Sequence, residues 1–115
     1  MSEPASISAG IADSYATAIF DIAVESNALD KLETSINDLA AALADSEDLR
    51  TLISSPLVSR EEQASAISAV AEKMGIDEVL RNALSVMAAK RRLFAVPALI
   101  AALSARLAEA RGEVT

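Results

Sequence analysis

Apolar residues recur every three or four positions in the first part of the chain, which is the spacing of one face of an α-helix. The first run predicts a helix from about residue 6 to residue 25 and consists of Ile7, Ile11, Tyr15, Ala18 and Ile22. Ser26 and Asn27 interrupt the pattern and are expected to end this helix. The second run predicts a helix from about residue 29 to residue 44 and consists of Leu29, Leu32, Ile36, Leu39 and Leu43. The chain therefore begins with two amphipathic helices.

Capping residues and helix breakers continue the pattern beyond the second helix. Asp45-Ser46 is expected to provide the N-cap of a short third helix, which Pro56 ends. Ser59 and Glu62 have the spacing of a capping box, in which each residue satisfies a backbone N–H of the other. They predict a fourth helix that runs to about Lys73.

Two further helices complete the chain. Gly75 is placed to take the left-handed conformation that ends many helices, and Asp77 is expected to cap a fifth helix running to about Lys90. Pro97 is expected at the first position of a sixth helix, because its fixed φ suits the first turn. That helix carries apolar residues at helical spacing and ends near Ala110.

These elements predict an all-α protein, a compact bundle of about six helices. The composition agrees, because only 3 glycines and 3 prolines occur in 115 residues. Tyr15, Phe20 and Phe94 are the only aromatic residues, so the core is expected to consist of Leu, Ile, Val and Ala. We expect one bundle domain over residues 1–110 and a tail over residues 111–115 that leads to a second domain absent from this chain.

Several kinds of chemistry are excluded by the residue types that the chain lacks. It has no Cys and no His, which removes disulfides, the usual zinc sites and Ser-His or Cys-His nucleophiles. The three glycines are too scattered for a phosphate-binding loop. We therefore expect no catalytic, cofactor or metal site. The longest uncharged stretch, residues 93–105, is shorter than the roughly 20 residues that cross a bilayer, and the start lacks the basic residues of a targeting signal. We expect no membrane insertion and a protein that stays where it is made.

Charge is distributed unevenly along the chain, whose formal net charge is −7. Lys31 is the only basic residue before Arg50, so the first two helices are strongly acidic. Such a surface repels phosphate backbones, and the one basic cluster, Lys90-Arg91-Arg92, has only Phe94 beside it for stacking. We expect no nucleic-acid partner. The basic cluster either complements the dipole at the end of the fifth helix or forms ion pairs at an interface.

The first and fifth helices have apolar faces too wide for one packing neighbour. On the first helix, a sector containing Ala12, Ala16, Ile19, Phe20 and Ala23 lies beside the run described above. On the fifth, Val79, Ala83 and Val86 form a stripe beside Leu80, Leu84 and Met87. Either both helices are buried on two sides, or the outer stripes form a groove for an amphipathic helix of another chain. We call this second possibility the candidate groove, with the residues Ile11, Tyr15, Ala18, Ile22, Val79, Ala83 and Val86.

Two segments resemble a known family. Residues 15–23, YATAIFDIA, resemble the YAxALFxxA signature in the first helix of the δ subunit of bacterial F-type ATP synthases. That subunit is the counterpart of the mitochondrial oligomycin-sensitivity-conferring protein. Residues 92–97, RLFAVP, followed by Ile100, resemble the family's NGRLxxLPxI segment, and residues 111–115, RGEVT, resemble the turn that leads to its second domain. The two motifs occur in the family's order at compatible separation.

The resemblance implies a non-catalytic stator subunit. In the family this domain is a six-helix bundle that binds the N-terminal helix of a catalytic-head α subunit in a groove between the first and fifth helices. Tyr15 and Ala18 match one wall, Val86 matches the other, and Arg92 matches the motif arginine, while the remaining groove residues are added on helical geometry. Lys90 and Arg92 are possible contacts at the rim.

The wider setting that the resemblance implies is a proton-translocating ATP synthase. The second domain, absent here, joins the b-type subunits of the peripheral stalk and so prevents the head from rotating with the central shaft. The expected location is peripheral, on the cytoplasmic face of a bacterial inner membrane.

One departure from the family and two other function classes remain. Where the family often has Asn-Gly before the motif arginine, this chain has Lys90-Arg91, so the turn is made otherwise or the fifth helix continues further. A helical adaptor or regulatory bundle, such as an anti-sigma or chaperone-like protein, could use the same groove for another partner. Asp13 and Asp21, two helical turns apart, are the only basis for a carboxylate hydrolase.

Overall fold

The helices begin and end close to the predicted positions. The computed structural model describes residues 3–112, and the side chains of residues 7–112. The described residues contain no strand and form six α-helices. The helices are α1 (Glu3–Glu25), α2 (Leu29–Asp45), α3 (Glu47–Ser54), α4 (Arg60–Met74), α5 (Glu78–Ala89) and α6 (Val96–Ala110). A single 3-10 turn, Leu93–Ala95, precedes α6, and residues 113–115 of the predicted tail lie outside the described part.

The N-terminal caps act as the sequence predicts. Ser46 accepts a hydrogen bond from the backbone N–H of Leu49 at 3.1 Å and so caps α3. Ser59 and Glu62 form the complete capping box of α4, with both hydrogen bonds at 3.1 Å. Pro97 is the second residue of α6, one position later than predicted, because the 3-10 turn leads directly into Val96.

Three helices end in the same left-handed turn. After α1, α4 and α5, the residue with positive φ is Asn27, Gly75 or Arg91 respectively. In each case its own N–H and the next N–H bond back to carbonyls of the last helical turn, for example Asn27 to Val24 and Ala28 to Ala23. This double pattern is the Schellman motif, which satisfies carbonyls that the end of a helix would leave unpaired.

One aliphatic core joins all six helices. α1 packs most extensively on α6 and α4 on α5, and buried residues of every helix belong to a single cluster. Among the described residues no aromatic side chain is fully buried, as predicted, and Met87 is the one core residue outside the predicted types. On α6, Leu99, Leu103 and Leu107 are buried, whereas Ile100, which shares the helical spacing of Leu103 and Leu107, is only partly buried. The radius of gyration of 13.6 Å is that of one domain of this length, for which about 13 Å is expected.

Two arginines, one in α6 and one directly after it, form ion pairs with the first two helices. Arg106 donates to Asp13 of α1 at 2.6 Å. Arg111, directly after α6, contacts Asp30 at 3.1 Å and Glu33 at 2.5 Å on α2. These exposed pairs contribute little to stability singly, but they orient the end of α6 against the start of α2.

Two segments are long and apolar enough to cross a membrane by length and composition, Ile7–Glu25 and Leu93–Ala110. Neither segment is an uncharged stretch, because Asp13 and Asp21 interrupt the first and Arg106 and Glu109 interrupt the second. Both segments contribute buried residues to the bundle core, and Asp13 of one pairs with Arg106 of the other. Core helices of bundles pass the same test, so the absence of membrane insertion stays a prediction.

Candidate functional site

The α1 wall of the candidate groove lies beside the buried face of that helix. Ile11 and Tyr15 are half-buried and pack against the core. Ala18 is exposed, and Ile22 keeps 48% of its surface accessible. The adjacent sector is buried at Ala12, Ala16, Ile19 and Ala23, whereas Phe20, also predicted there, is only partly buried. The two sectors predicted from the sequence thus have different environments, one in the core and the other at the surface.

The α5 wall repeats this division. Val79 and Ala83 are half-buried against the core, and Val86 remains 44% exposed. The buried face beside them consists of Leu80, Leu84, Met87 and Ala88. An exposed Val86 next to a closed core is apolar surface that the fold itself does not use.

α1 and α5 pack against each other, so the structure places both stripes on neighbouring helices. None of the candidate groove residues belongs to the fully buried set. The stripes offer methyl and methylene groups and one phenol, with alanines where a partner could approach closely. Such a surface can hold apolar side chains spaced as on one face of a helix, and it offers little for catalysis.

The predicted rim residues and Arg91 take different roles. Lys90 and Arg92 are both exposed. α5 ends at Ala89, so its last turn contains no basic residue, and Lys90 is the C-cap. Arg91, at φ 59°, supplies the left-handed turn where the family often has glycine. The turn is therefore made by a non-glycine residue, and α5 is not extended.

Arg91 also holds the α3–α4 connection, a role that sequence reasoning missed. Its Nη1 donates to the carbonyl of Val58 at 2.6 Å and to Oε1 of Gln63 at 3.3 Å. Its Nη2 lies 3.4 Å from the carbonyl of Pro56. Gln63 is 4% exposed, and its Nε2 donates to the carbonyl of Leu52 at 2.9 Å. Because these partners lie about 30 positions away in the chain, no local sequence signal could have identified them.

The structure also contains an apolar concavity that the sequence did not predict. An open hollow of about 500 Å³ lies between α2, α3 and the start of α6, and its lining includes Leu43, Phe94 and Pro97. Phe94 is 43% exposed. Arg50 borders the hollow, where its guanidinium donates to the carbonyls of Leu43 and Ala44 at the end of α2. Residues of α2, α3, the 3-10 turn and α6 form this hollow, so periodicity within one helix could not indicate it.

The acidic residues of α1 do not assemble a reactive site. Asp13 is engaged by Arg106, and Asp21 is exposed on another side of the helix. Among the residues that the structure describes, no group of three or more Asp or Glu side chains is arranged to hold a metal ion. The hydrolase interpretation therefore has no geometric support in the described chain.

Comparison with known proteins identifies relatives over nearly the whole chain. The family model described as "ATP synthase delta (OSCP) subunit" matches residues 11–115. An ATP synthase subunit delta from Ruegeria sp. (strain TM1040) is 84% identical over 115 residues, which is 100% of this chain and 62% of that protein. The protein of the same name from Ruegeria pomeroyi is 69% identical over 90% of this chain and 55% of its own length. The one from Rhodobacter capsulatus is 59% identical over 100% of this chain and 62% of its own length. The chain thus spans less than two thirds of these relatives.

Proposed function

Because the chain belongs to the ATP synthase delta (OSCP) subunit family, we propose that it is a stator component that grips the catalytic head. It binds the N-terminal helix of an α subunit in the candidate groove between α1 and α5. Members of this family are non-catalytic subunits of the ATP synthase complex.

The observation that carries this proposal is the unused apolar surface on neighbouring helices. Ile22 and Val86 keep 48% and 44% of their surface exposed although the core beneath them is closed. Burying such side chains against a partner is favourable by about 25 cal/mol per Å² of apolar area, before the cost of association. A helix with apolar residues at i, i+3, i+4 and i+7 presents the matching stripe.

The stator role requires a second attachment. The chain covers 62% of the length of two of the relatives described above. We propose that the remaining part of such a protein contacts the b-type subunits of the peripheral stalk, while the bundle holds the head. The assembled subunit would then lie peripherally, on the cytoplasmic face of a bacterial inner membrane.

The test is an amide-shift titration of the labelled chain with a peptide copying the N-terminal helix of an α subunit. We expect shifts centred on Ile11, Tyr15, Ala18, Ile22, Val79, Ala83 and Val86. A folded chain that shows no shifts at high peptide concentration would refute the proposal. It would leave a helical adaptor with another partner as the alternative.

Matched aspartate variants sharpen the test. Ala18→Asp places a charge in the candidate groove at an exposed position, so we expect a folded bundle whose Kd rises at least about 30-fold, or about 2 kcal/mol. Ala41→Asp makes the same change on the exposed face of α2 and should leave the Kd unchanged. Ala16→Asp, at a position with 0% exposure, should unfold the bundle. Equal binding by the Ala18 and Ala41 variants would contradict the groove.

A further inference from the structure

The carboxylates of α1 and the start of α2 fall into two groups. Asp13 is paired with Arg106, and Asp30 and Glu33 are paired with Arg111. Asp21 and Glu25, both exposed, have no ion-pair partner within 4 Å in the part of the chain that the structure describes. The bundle thus neutralises some of its acidic residues internally and leaves these two to the solvent.

Asp21 and Glu25 border the candidate groove. At about 100° per residue, they lie on the side of the Ala18 and Ile22 stripe that faces away from the buried alanines of α1. Glu25 is one turn beyond Ile22, and Asp21 is one turn beyond Ala18. Asp13 lies elsewhere on the helix and is held by α6. The α1 edge of the candidate groove is therefore negatively charged along its second half.

The α5 wall provides little compensation along its length. Along the helix its exposed polar positions are Asn82 and Ser85, which carry no charge. Arg81, its one basic residue, is half-buried and lies on the side of the helix opposite to the candidate groove residues. Glu78 stands at its start, and Lys90 and Arg92 lie after its end. On the groove side of α5, positive charge thus occurs only beyond the end of the helix, whereas the α1 edge carries carboxylates alone.

We propose that Asp21 and Glu25 select the occupant of the candidate groove, which is an amphipathic helix carrying Lys or Arg beside its apolar stripe on the side that faces α1. This inference rests on the proposed function, since it concerns the same groove. Exposed ion pairs add little affinity singly, but a negative edge accelerates the encounter with a basic helix and disfavours an acidic one. The apolar residues of the candidate groove hold the bound helix, and the carboxylates determine which helix binds and in which orientation.

The experiment compares charge-neutral variants against a matched control. Asp21→Asn with Glu25→Gln removes the edge charge, and Asp38→Asn with Asp45→Asn removes the same charge from exposed positions of α2. Each chain is titrated with the α-subunit N-terminal peptide and with a copy in which every Lys and Arg is replaced by Gln. The titrations are run at about 10 mM and about 150 mM ionic strength, where the Debye length falls from about 30 Å to about 8 Å.

If the α-subunit peptide carries Lys or Arg beside its apolar stripe, as the proposal requires, the Asp21/Glu25 variant should bind it about 3- to 10-fold more weakly than the parent chain does at low ionic strength, with the difference shrinking at high ionic strength. The α2 variant should remain within about twofold of the parent chain, and the glutamine peptide should not distinguish the variants. If Ala18→Asp abolishes binding but the Asp21/Glu25 variant behaves like the α2 variant, the charge inference is overturned and the groove stands. If the parent chain binds neither peptide, the proposed function fails and this inference fails with it.

Discussion

Arg91 has a strained backbone conformation, and its side chain donates several hydrogen bonds. Comparing two substitutions of this residue separates the energetic effect of the strain from that of the hydrogen bonds. The residue has a φ of 59°, a conformation that costs a non-glycine residue about 1–2 kcal/mol. Its guanidinium donates to the carbonyl of Val58 at 2.6 Å, and hydrogen bonds of a charged group to a neutral partner contribute about 1.5–3 kcal/mol each. The contacts to Gln63 and Pro56, at 3.3 and 3.4 Å, are longer and add less.

Two substitutions at this position have different expected effects. Arg91→Ala keeps the strain and removes the hydrogen bonds, so it should lower the free energy of unfolding by about 2–3 kcal/mol. Arg91→Gly also removes the bonds but relieves the strain, so the loss should be about 1 kcal/mol smaller. Arg92→Ala, at the exposed next position, should change stability by less than about 0.5 kcal/mol.

Urea unfolding followed by circular dichroism at the helix band measures these differences. With a slope of about 1–3 kcal/mol per M for a small domain, the Arg91→Ala midpoint should fall by about 0.7–3 M. A glycine variant more stable than the parent chain would refute the reasoning, because the hydrogen bonds would then be worth less than the strain. Equal stability of the alanine and glycine variants would also refute it, because no strain would then exist at this turn.

Three further substitutions test the local features of the helices. Gly75→Ala should destabilise the bundle by about 1 kcal/mol because of the φ of 70° alone, since a Cβ there meets nothing within 4 Å. Gly10→Ala also places its Cβ in open space, but it lies inside α1, so it should stabilise the bundle by about 0.5–1 kcal/mol. Thermal unfolding of both variants checks the pair, and shifts of the same sign would contradict it. Ser59→Ala should cost about 1 kcal/mol in urea unfolding by removing the capping box of α4, and an unchanged midpoint would show that the box is not formed.

Features that depend on neighbouring residues in the chain were predictable. Ser46 and Ser59 cap helices through N–H groups three residues away, and Gly75 and Asn27 end helices through carbonyls of the preceding turn. The bonds span one helical turn, so the sequence contains both partners within a few positions. The six helices and their order could therefore be predicted.

Features that depend on distant partners were not predictable. Arg91 makes its left-handed turn without glycine, and its side chain donates to the carbonyl of Val58 and to Oε1 of Gln63, which lie about 30 positions earlier in the chain. On α6, apolar residues occupy so much of the circumference that periodicity could not distinguish Leu99 from Ile100 as the buried position. Only packing against the other helices decides between them.

The candidate groove also has some features that local sequence predicts and others that depend on packing between helices. The two stripes of α1 and of α5 could be identified from helical periodicity, but which stripe of each is buried is visible only in the structure. That α1 lies beside α5 was implied by the family resemblance, because no pattern within either helix indicates its neighbour. The charged edge formed by Asp21 and Glu25 became visible only when the other acidic residues were found paired with Arg106 and Arg111.

The position of Tyr15 has an optical consequence. The chain contains 1 tyrosine and 0 tryptophan residues, and that tyrosine is half-buried on the α1 wall. Its near-ultraviolet emission is therefore free of the energy transfer to indole that obscures tyrosine in most proteins. The phenol is a built-in reporter of whatever covers α1, so association of a partner without tyrosine or tryptophan can be followed on the unlabelled protein.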